Sequence, residues 1–292
     1  MNHALNIMVL LSMGGLAAFS SAPAEAPQTI VVTSFYPIYI MALNVASAIP
    51  GVSVQNLTPP FTGCLHDYSL TVNDMKKLAS ASLLITNGAG MESFAEKVAA
   101  QYPKLKVVEL ARGIPLIRGD RGAPPNPHVW TGVSNAITEV NNLGTTMEEF
   151  DPGHANLYRA NTSRYVAKLE ALRTRMHTAL SPYRGRKIVT FHEAFPYFAR
   201  EFGLVIAAVV EREPGSQPSA QELAHTIDLI RKHGIHVIFS EPQYPASATA
   251  AIARETGARV YVLDPAVTGP DDPDAYLHAM EANLAVLMKA LR

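Results

Sequence analysis

Three histidines and one aspartate lie beyond the carboxyl ends of segments that we predict to be β-strands. They are His66, His128, His192 and Asp264. Open α/β sheets gather their ligands at this edge of the sheet. Three imidazoles and one carboxylate form a four-ligand set that suits zinc. Two of the four residues come from each half of the chain, so a cleft between two lobes would bring them together.

Spacing alone does not establish this site. The four candidates are separated by 62, 64 and 72 positions, so no single helix or turn forces them together. A histidine in a loop after a strand is also well placed for a helix cap or a turn contact. Most of the remaining histidines fall on predicted helices, where an exposed or half-exposed ring is the ordinary interpretation.

Eight short apolar runs are candidates for the strands that position these residues. Each run is continuous rather than alternating and is rich in β-branched residues, as expected of strands buried on both faces. The predicted strands are Ile30–Ser34, Val52–Leu57, Leu83–Asn87, Lys106–Leu110, Lys187–Phe191, Leu204–Val210, His236–Ser240 and Arg259–Leu263. Segments of helical period lie between them, at Asp74–Ala81, Ser93–Gln101, Ser219–His233 and Ala246–Thr256. This alternation predicts an α/β protein with two lobes, each containing a four-stranded, mostly parallel sheet.

One long helix is predicted between the two sets of strands. Asp151 is a suitable cap, Pro152 suits the first helical position, and Pro182 ends the helix. Its apolar positions recur at spacings of three, four or eight, at Leu157, Tyr165, Leu169, Leu172, Met176 and Leu180. The helix divides the chain into a predicted N-terminal lobe at 25–150, a connecting helix at 151–183 and a C-terminal lobe at 184–292. Residues 1–24, which precede the first predicted strand, are predicted to be a signal peptide. A rigid helix across both lobes leaves little hinge freedom.

The composition is that of an ordinary globular protein. Of the 292 residues, 48% are hydrophobic and 17% are charged, and the formal net charge is −1, which argues against a nucleic-acid-binding protein. The single cysteine, Cys64, excludes an internal disulfide and a zinc site built only from thiolates. The apolar run Ile7–Phe19, followed by Ala22-Pro23-Ala24, predicts a cleaved signal peptide without a lipid-anchor cysteine. The expected location is therefore the periplasm.

The sequences around the four candidate ligands resemble the metal motifs of a known family. His66 lies in Gly-Cys-Leu-His-Asp-Tyr, His128 in Asn-Pro-His-Val-Trp, His192 in Phe-His-Glu-Ala-Phe and Asp264 in Leu-Asp-Pro. In this order they resemble the cluster A-I substrate-binding proteins (ZnuA- and TroA-like) of ABC importers for zinc and manganese. The resemblance implies two α/β lobes around a long helix, with these four residues holding a metal between the lobes. It also implies a monomer that delivers the metal to a membrane permease.

The residue type at the third ligand position indicates which metal the site prefers. Family members that prefer manganese are similar in having two histidines and two carboxylates as ligands, with an acidic residue in the third motif. In this sequence the third motif has His192 at that position. Imidazole suits zinc and manganese prefers oxygen ligands, so we expect Zn²⁺, with Mn²⁺ or both ions as the alternative. We do not expect the neighbouring Glu193 to bind, because adjacent side chains on a turn point apart. The segment 118–127 contains no histidine, unlike the His-rich loop of many zinc members, so an auxiliary metal site is in doubt.

Two other functions and the role of one cysteine stay open. A secreted zinc hydrolase would need an open coordination position and a general base, for which Glu193 and Glu241 are the candidates. Glu241 is otherwise a turn residue before Pro242. Cys64 lies two residues before His66, yet we expect it to be a small buried residue rather than a ligand, because free cysteine is usually buried and inert. A surface adhesin is the third alternative, and the sequence identifies no partner for it.

Overall fold

The computed structural model describes residues 28–119, 122–211, 219–243 and 247–292, which contain two four-stranded parallel sheets. The predicted signal peptide lies outside the described residues. The N-terminal sheet has the order β2-β1-β3-β4 and consists of β1 (Thr29–Thr33), β2 (Val52–Asn56), β3 (Leu83–Thr86) and β4 (Lys106–Glu109). The C-terminal sheet has the order β6-β5-β7-β8 and consists of β5 (Lys187–His192), β6 (Val205–Glu211), β7 (Val237–Ser240) and β8 (Arg259–Val262). The prediction of one α/β architecture used twice is confirmed.

Helices connect the strands and cover the sheets. They are α1 (Tyr36–Val45), α2 (Val72–Ser80), α3 (Ala95–Gln101), α4 (Val133–Phe150), α5 (Ala155–Leu180), α6 (Pro196–Phe202), α7 (Ala220–His233), α8 (Ser247–Thr256) and α9 (Ala275–Ala290). The sequence analysis names none of α1, α4, α6 and α9. Of these, α1 is buried on most of its sides and therefore lacks the polar stripe of a surface helix. None of the described helices combines the length and the apolar character needed to cross a membrane.

The predicted connecting helix is α5. Its 26 residues give a length of about 39 Å, and it packs against α1 and α4 as well as α6 and α9. The residues that it buries are Tyr158, Asn161, Thr162, Tyr165, Leu169, Leu172, Met176 and Leu180. Leu157, predicted to be buried, is 46% exposed, because the adjacent Tyr158 occupies the inward position.

The start of α5 also differs from the prediction. Asp151 precedes a short 3₁₀ turn, Pro152–His154, and α5 follows that turn. The Asp151 carboxylate accepts a hydrogen bond from the Tyr158 hydroxyl at 3.1 Å. Asp151 therefore fixes the first turn of α5 through a tyrosine hydroxyl rather than through the backbone N–H groups of a helix cap.

The two sheets and α5 share one continuous hydrophobic core, which includes Val31, Leu169, Phe239 and Leu287. Hydrogen bonds from α1 reinforce this arrangement at the segment between β8 and α9. Tyr36 donates to the Pro270 carbonyl at 2.8 Å, and Asn44 donates to the Pro273 carbonyl at 2.7 Å. The segment after β8 thus contacts the N-terminal half of the chain. The predicted lobe boundaries, 25–150 and 184–292, remain a prediction.

Candidate metal centre

The three predicted histidines lie at or beyond the carboxyl ends of strands in the two sheets. His192 is the last residue of β5, and His128 directly precedes the 3₁₀ turn Val129–Thr131 that leads into α4. His66 lies in the segment between β2 and α2. His128 and His192 are each 1% exposed, whereas His66 is only partly buried. The fold therefore provides two fixed imidazoles and a third at the more accessible side of the site.

The three imidazole rings meet through their Nε2 atoms. His128 Nε2 lies 3.1 Å from His66 Nε2 and 3.2 Å from His192 Nε2. Zinc–nitrogen bonds of about 2.0–2.1 Å in a tetrahedral site separate the nitrogens by about 3.3 Å. The observed distances therefore fit three ligands of one zinc-sized ion, and the structure brings together the three histidines that the sequence analysis named as candidates.

His128 is oriented by Asn126. Its backbone N–H donates to Asn126 Oδ1 at 3.0 Å, and its ring Nδ1 lies 3.2 Å from the same oxygen. An acceptor at Nδ1 places the ring proton there and leaves the Nε2 lone pair for a metal. The Asn126 amide in turn donates to the Glu193 carbonyl at 2.8 Å. The sequence analysis did not identify Asn126, although it is adjacent to the Pro-His pair of the second motif.

The electrostatics of the site favour neutral imidazoles. Burial lowers the pKa of His128 well below its usual value, and the neighbouring His192 and His66 lower it further. Burial also lowers the pKa of His66, against a smaller opposing effect of Asp67. Only the neutral ring offers a lone pair to a metal. At neutral pH these two side chains are therefore ready to bind.

Cys64 belongs to the same cluster. Its Sγ atom and one ring nitrogen from each of His66, His128 and His192 all lie within 4.8 Å of one another. The thiol is partly buried and also contacts the edge of the hydrophobic core. Burial raises the pKa of the Cys64 thiol well above its usual value, and the carboxylate of Glu241 adds to this effect. Cys64 is therefore a potential donor as well as a core residue, whereas the sequence analysis expected only the second role.

Asp264, the fourth predicted ligand, is not part of that cluster of donor atoms. It follows β8 in a loop where its Oδ1 accepts a hydrogen bond from the Ala266 backbone N–H at 2.8 Å. Ala266 has a left-handed backbone, with φ of 57°, which turns the chain back on itself. Asn283 holds the loop at both backbone groups of Asp264, accepting from its N–H at 2.8 Å and donating to its carbonyl at 2.7 Å. Burial raises the pKa of the Asp264 carboxyl.

The two carboxylates considered as general bases occupy different places. Glu241, directly after β7, is 2% exposed and accepts a hydrogen bond from Gln243 at 2.7 Å, so it is a buried residue at the start of a turn. Glu193 lines a groove of about 490 Å³ with Pro196 and Arg200 and is not part of the cluster of donor atoms. Neither position contradicts the expectation that His192 rather than Glu193 faces the metal.

Residues 31–290 match the family described as the periplasmic component A of a zinc-uptake complex, ZnuA. The chain belongs to this family. Members of the ZnuA family are extracytoplasmic substrate-binding proteins that bind divalent metal and work with the permease of an ABC importer.

Relatives of this ZnuA-family chain carry the names of different metals. The iron-binding protein YfeA of Yersinia pestis is 32% identical over 234 residues, which are 78% of this chain and 74% of YfeA. The high-affinity zinc uptake protein ZnuA of Bacillus subtilis is 27% identical, over 97% of this chain and 94% of its own. The solved structure of FpvC from Pseudomonas aeruginosa in complex with Mn²⁺ has a TM-score of 0.82 and 30% identity, and covers 90% of this chain and 98% of FpvC. Membership of the family therefore establishes a divalent metal but not which one.

Proposed function

We propose that this protein captures Zn²⁺ with His66, His128, His192 and Asp264 and delivers it to an ABC importer permease in the membrane. The observation that carries the proposal is the convergence of three imidazole nitrogens at distances that fit one zinc ion. Two of these rings are almost completely buried, and the ring nitrogens come from both halves of the chain. The proposed fourth ligand, Asp264, would approach from the loop after β8.

The donor types support zinc over manganese. Three imidazoles dominate the site, and imidazole suits zinc, whereas carboxylate and carbonyl oxygens suit manganese. With one carboxylate and a divalent ion, the proposed site has a net charge of +1. A site with two carboxylates, as in the manganese pattern, would be neutral. FpvC, which has been solved with Mn²⁺, makes manganese the competitor that the experiment must include.

Capture rather than hydrolysis is the chemistry that we propose for the bound ion. A catalytic zinc keeps one open position for water, and a fourth protein ligand closes it. The family consists of substrate-binding proteins, which agrees with this proposal. Metal affinity should fall at acidic pH, below the usual titration range of histidine, because burial lowers the pKa of His66 and His128 and protons compete for the same lone pairs only there.

Delivery follows from the proposed location and from the shared core. We propose that residues 1–24 direct the chain to the periplasm, where it acts as a soluble monomer. Because α5 and one continuous hydrophobic core join the two halves, spontaneous opening of the site would expose buried apolar surface. We therefore propose that docking on the permease supplies the free energy that separates the ligands and releases the ion.

Elemental analysis of the purified protein tests this proposal. Metal-free wild type, His192→Ala and the control His225→Ala, which changes an exposed histidine on α7, are dialysed against equal concentrations of Zn²⁺ and Mn²⁺. We expect one zinc per chain in wild type and in the control, and none in His192→Ala. Retention of manganese would overturn the choice of metal. Failure to retain either ion would overturn metal capture itself.

A further inference from the structure

The proposed site contains one donor more than a four-ligand shell needs. Cys64 Sγ lies within 4.8 Å of ring nitrogens of all three histidines, and the Asp264 carboxylate is not part of this group. Three nitrogens and one sulfur are therefore already assembled around a common point. This set differs from the three nitrogens and one oxygen that the sequence motifs imply.

The geometry of the cluster fits a thiolate-bound ion. In a tetrahedral zinc site with bonds of about 2.3 Å to sulfur and about 2.0–2.1 Å to nitrogen, the sulfur lies about 3.6 Å from each nitrogen. Two of the nitrogen pairs lie at 3.1 and 3.2 Å, and no pair of donor atoms in the cluster exceeds 4.8 Å. Small side-chain rotations would therefore place all four donors at bonding distance.

Asp264 is held by other contacts in the same conformation. Its Oδ1 accepts from the Ala266 N–H, and both of its backbone groups are bonded to Asn283 on α9. For the carboxylate to bind a metal at the three histidines, the loop after β8 has to move or the carboxylate has to rotate. Cys64 needs no movement of a loop, because its Sγ already lies within 4.8 Å of a ring nitrogen of each histidine.

We propose that Cys64 is an alternative fourth ligand, so that the three histidines hold the metal with the Cys64 thiolate in the conformation described here, and with Asp264 after its loop moves or its carboxylate rotates. This inference rests on the proposed capture of metal at these histidines. When the sulfur–metal bond forms, the thiol releases its proton to solvent, and no electron is transferred.

The two donor sets differ in the ions that they favour. Sulfur is a soft ligand that selects zinc over manganese, whereas a carboxylate accepts both more evenly. A metal held by Cys64 would therefore be selected more strictly for zinc than one held by Asp264. Removal of the thiol should lower zinc affinity by about tenfold or more, because even the loss of a residue that only orients a ligand costs about 10–100-fold, and it should lower manganese affinity less, because manganese gains little from sulfur.

Spectroscopy of the Co²⁺-loaded protein tests the proposal, because Co²⁺ replaces zinc and reports its ligands. Wild type, Cys64→Ser, Asp264→Asn and the double variant are loaded with Co²⁺ in a phosphine reductant that contains no thiol. We expect a thiolate-to-cobalt charge-transfer band in the near ultraviolet for wild type and Asp264→Asn, and no such band for Cys64→Ser. The visible bands of bound Co²⁺ should persist in both single variants and weaken strongly in the double variant.

The outcomes separate this inference from the proposed function. Wild type that binds Co²⁺ stoichiometrically without the charge-transfer band would overturn ligation by Cys64 and leave metal capture intact. A band that occurs only in Asp264→Asn would also overturn it, because the thiolate would then bind only after the natural ligand is removed. Absence of both Co²⁺ and Zn²⁺ binding in wild type would instead refute metal capture. Competition with Zn²⁺ and Mn²⁺ in Cys64→Ala provides a second measurement with a smaller side chain.

Discussion

The indole N–H of Trp130 donates a 2.7 Å hydrogen bond to the carbonyl oxygen of Pro265. Trp130 follows His128 by two residues, and Pro265 directly follows Asp264. The Trp130 ring also contacts the His128 ring, with centroids 5.4 Å apart. This one side chain therefore connects the segment of the second proposed ligand to the loop of the fourth.

Metal binding should change the fluorescence of Trp130. It is the only tryptophan in the chain, so the emission reports this position alone. A cation at His128 alters the electrostatic field at the indole, and any movement of the Asp264 loop alters the hydrogen bond to Pro265. We expect a saturable change during a Zn²⁺ titration of wild type and none in His192→Ala. An unchanged spectrum at full zinc occupancy would place the ion away from His128.

Asn283 should act as a positioning residue for the Asp264 loop. It is 2% exposed and satisfies both backbone groups of Asp264. Asn283→Ala would leave the partly buried N–H and carbonyl of Asp264 without these partners, at a cost of about 1–3 kcal/mol in the free energy of unfolding. If Asp264 binds the metal, zinc affinity should also fall by about 10–100-fold.

The control for Asn283 is Lys289→Ala, which changes an exposed position on the same helix. It should alter neither chemical denaturation nor zinc affinity. Loss of stability in Asn283→Ala with unchanged zinc affinity would show that the loop need not be fixed for binding. That result would favour Cys64 as the fourth donor.

Glu92 should make the metal-free protein less stable as the pH rises. Its carboxylate is buried and accepts hydrogen bonds from the Ser34 hydroxyl and from the backbone N–H groups of Asn87 and Gly88. Burial raises the pKa of Glu92 from 4.5 to about 7, against the lowering effect of those hydrogen bonds. Between these pH values the folded protein keeps a proton that the unfolded chain has released, so a rising pH favours unfolding.

The size of this effect follows from the shift in pKa. At 1.36 kcal/mol per pKa unit, protonated Glu92 contributes about 3 kcal/mol to the free energy of unfolding. This contribution is present below pH 4.5 and is lost as the pH rises to about 7. Glu92→Gln resembles the protonated acid and cannot titrate. Denaturation of both proteins in chelator from pH 4.5 to 8 should therefore show wild type losing stability relative to the variant. Parallel curves would mean that Glu92 is ionised throughout.

Much of the fold is predictable because its strands are continuous apolar runs, although the expectation that all of them are buried on both faces is wrong for β2, β4 and β8, which are partly buried or exposed. Continuous apolar runs such as Leu83–Thr86 and Val237–Ser240 give an unambiguous signal, and the helices on the outside of the lobes show the period of a half-exposed surface. The helix α1 is missed because most of its sides are buried. Exposed Leu157 is assigned inward because its neighbour Tyr158, which is the buried residue, interrupts the apolar pattern.

The only residues of the candidate site that the sequence predicts are those that lie in recognisable local motifs. The three histidines carry local signatures, and the structure brings their nitrogens together. Asn126 and Asn283 act through hydrogen bonds to a ring and to a loop, and neither residue type has a spacing that indicates such a role. Cys64 packs against the hydrophobic core, as expected for a lone cysteine, and the structure also places it beside the three histidines. Which atoms face a common point depends on the packing of loops from both lobes, and no sequence period encodes that.

The close approach of α4 and α5 should depend on the absence of a side chain at Gly144. A Cβ atom there would clash with Thr162 Oγ1 and would lie 2.8 Å from Thr162 Cγ2. Thr162 is buried on α5, so it cannot swing into solvent. Gly144→Ala should therefore lower the free energy of unfolding by about 1–3 kcal/mol through overpacking, as measured by chemical denaturation.

A second substitution should reverse this loss. Thr162→Ala removes both clashing atoms, and the Thr162 hydroxyl makes no hydrogen bond within the described residues, so its removal leaves no partner unsatisfied. In Gly144→Ala/Thr162→Ala the remaining contact with the Thr162 Cβ position is 3.1 Å, which a small shift relieves, and alanine adds about 0.5–1 kcal/mol of helix stability over glycine. The double variant should recover most of the stability lost in Gly144→Ala. If it stays as unstable as the single variant, the glycine is required for the backbone of α4 itself rather than for its contact with α5.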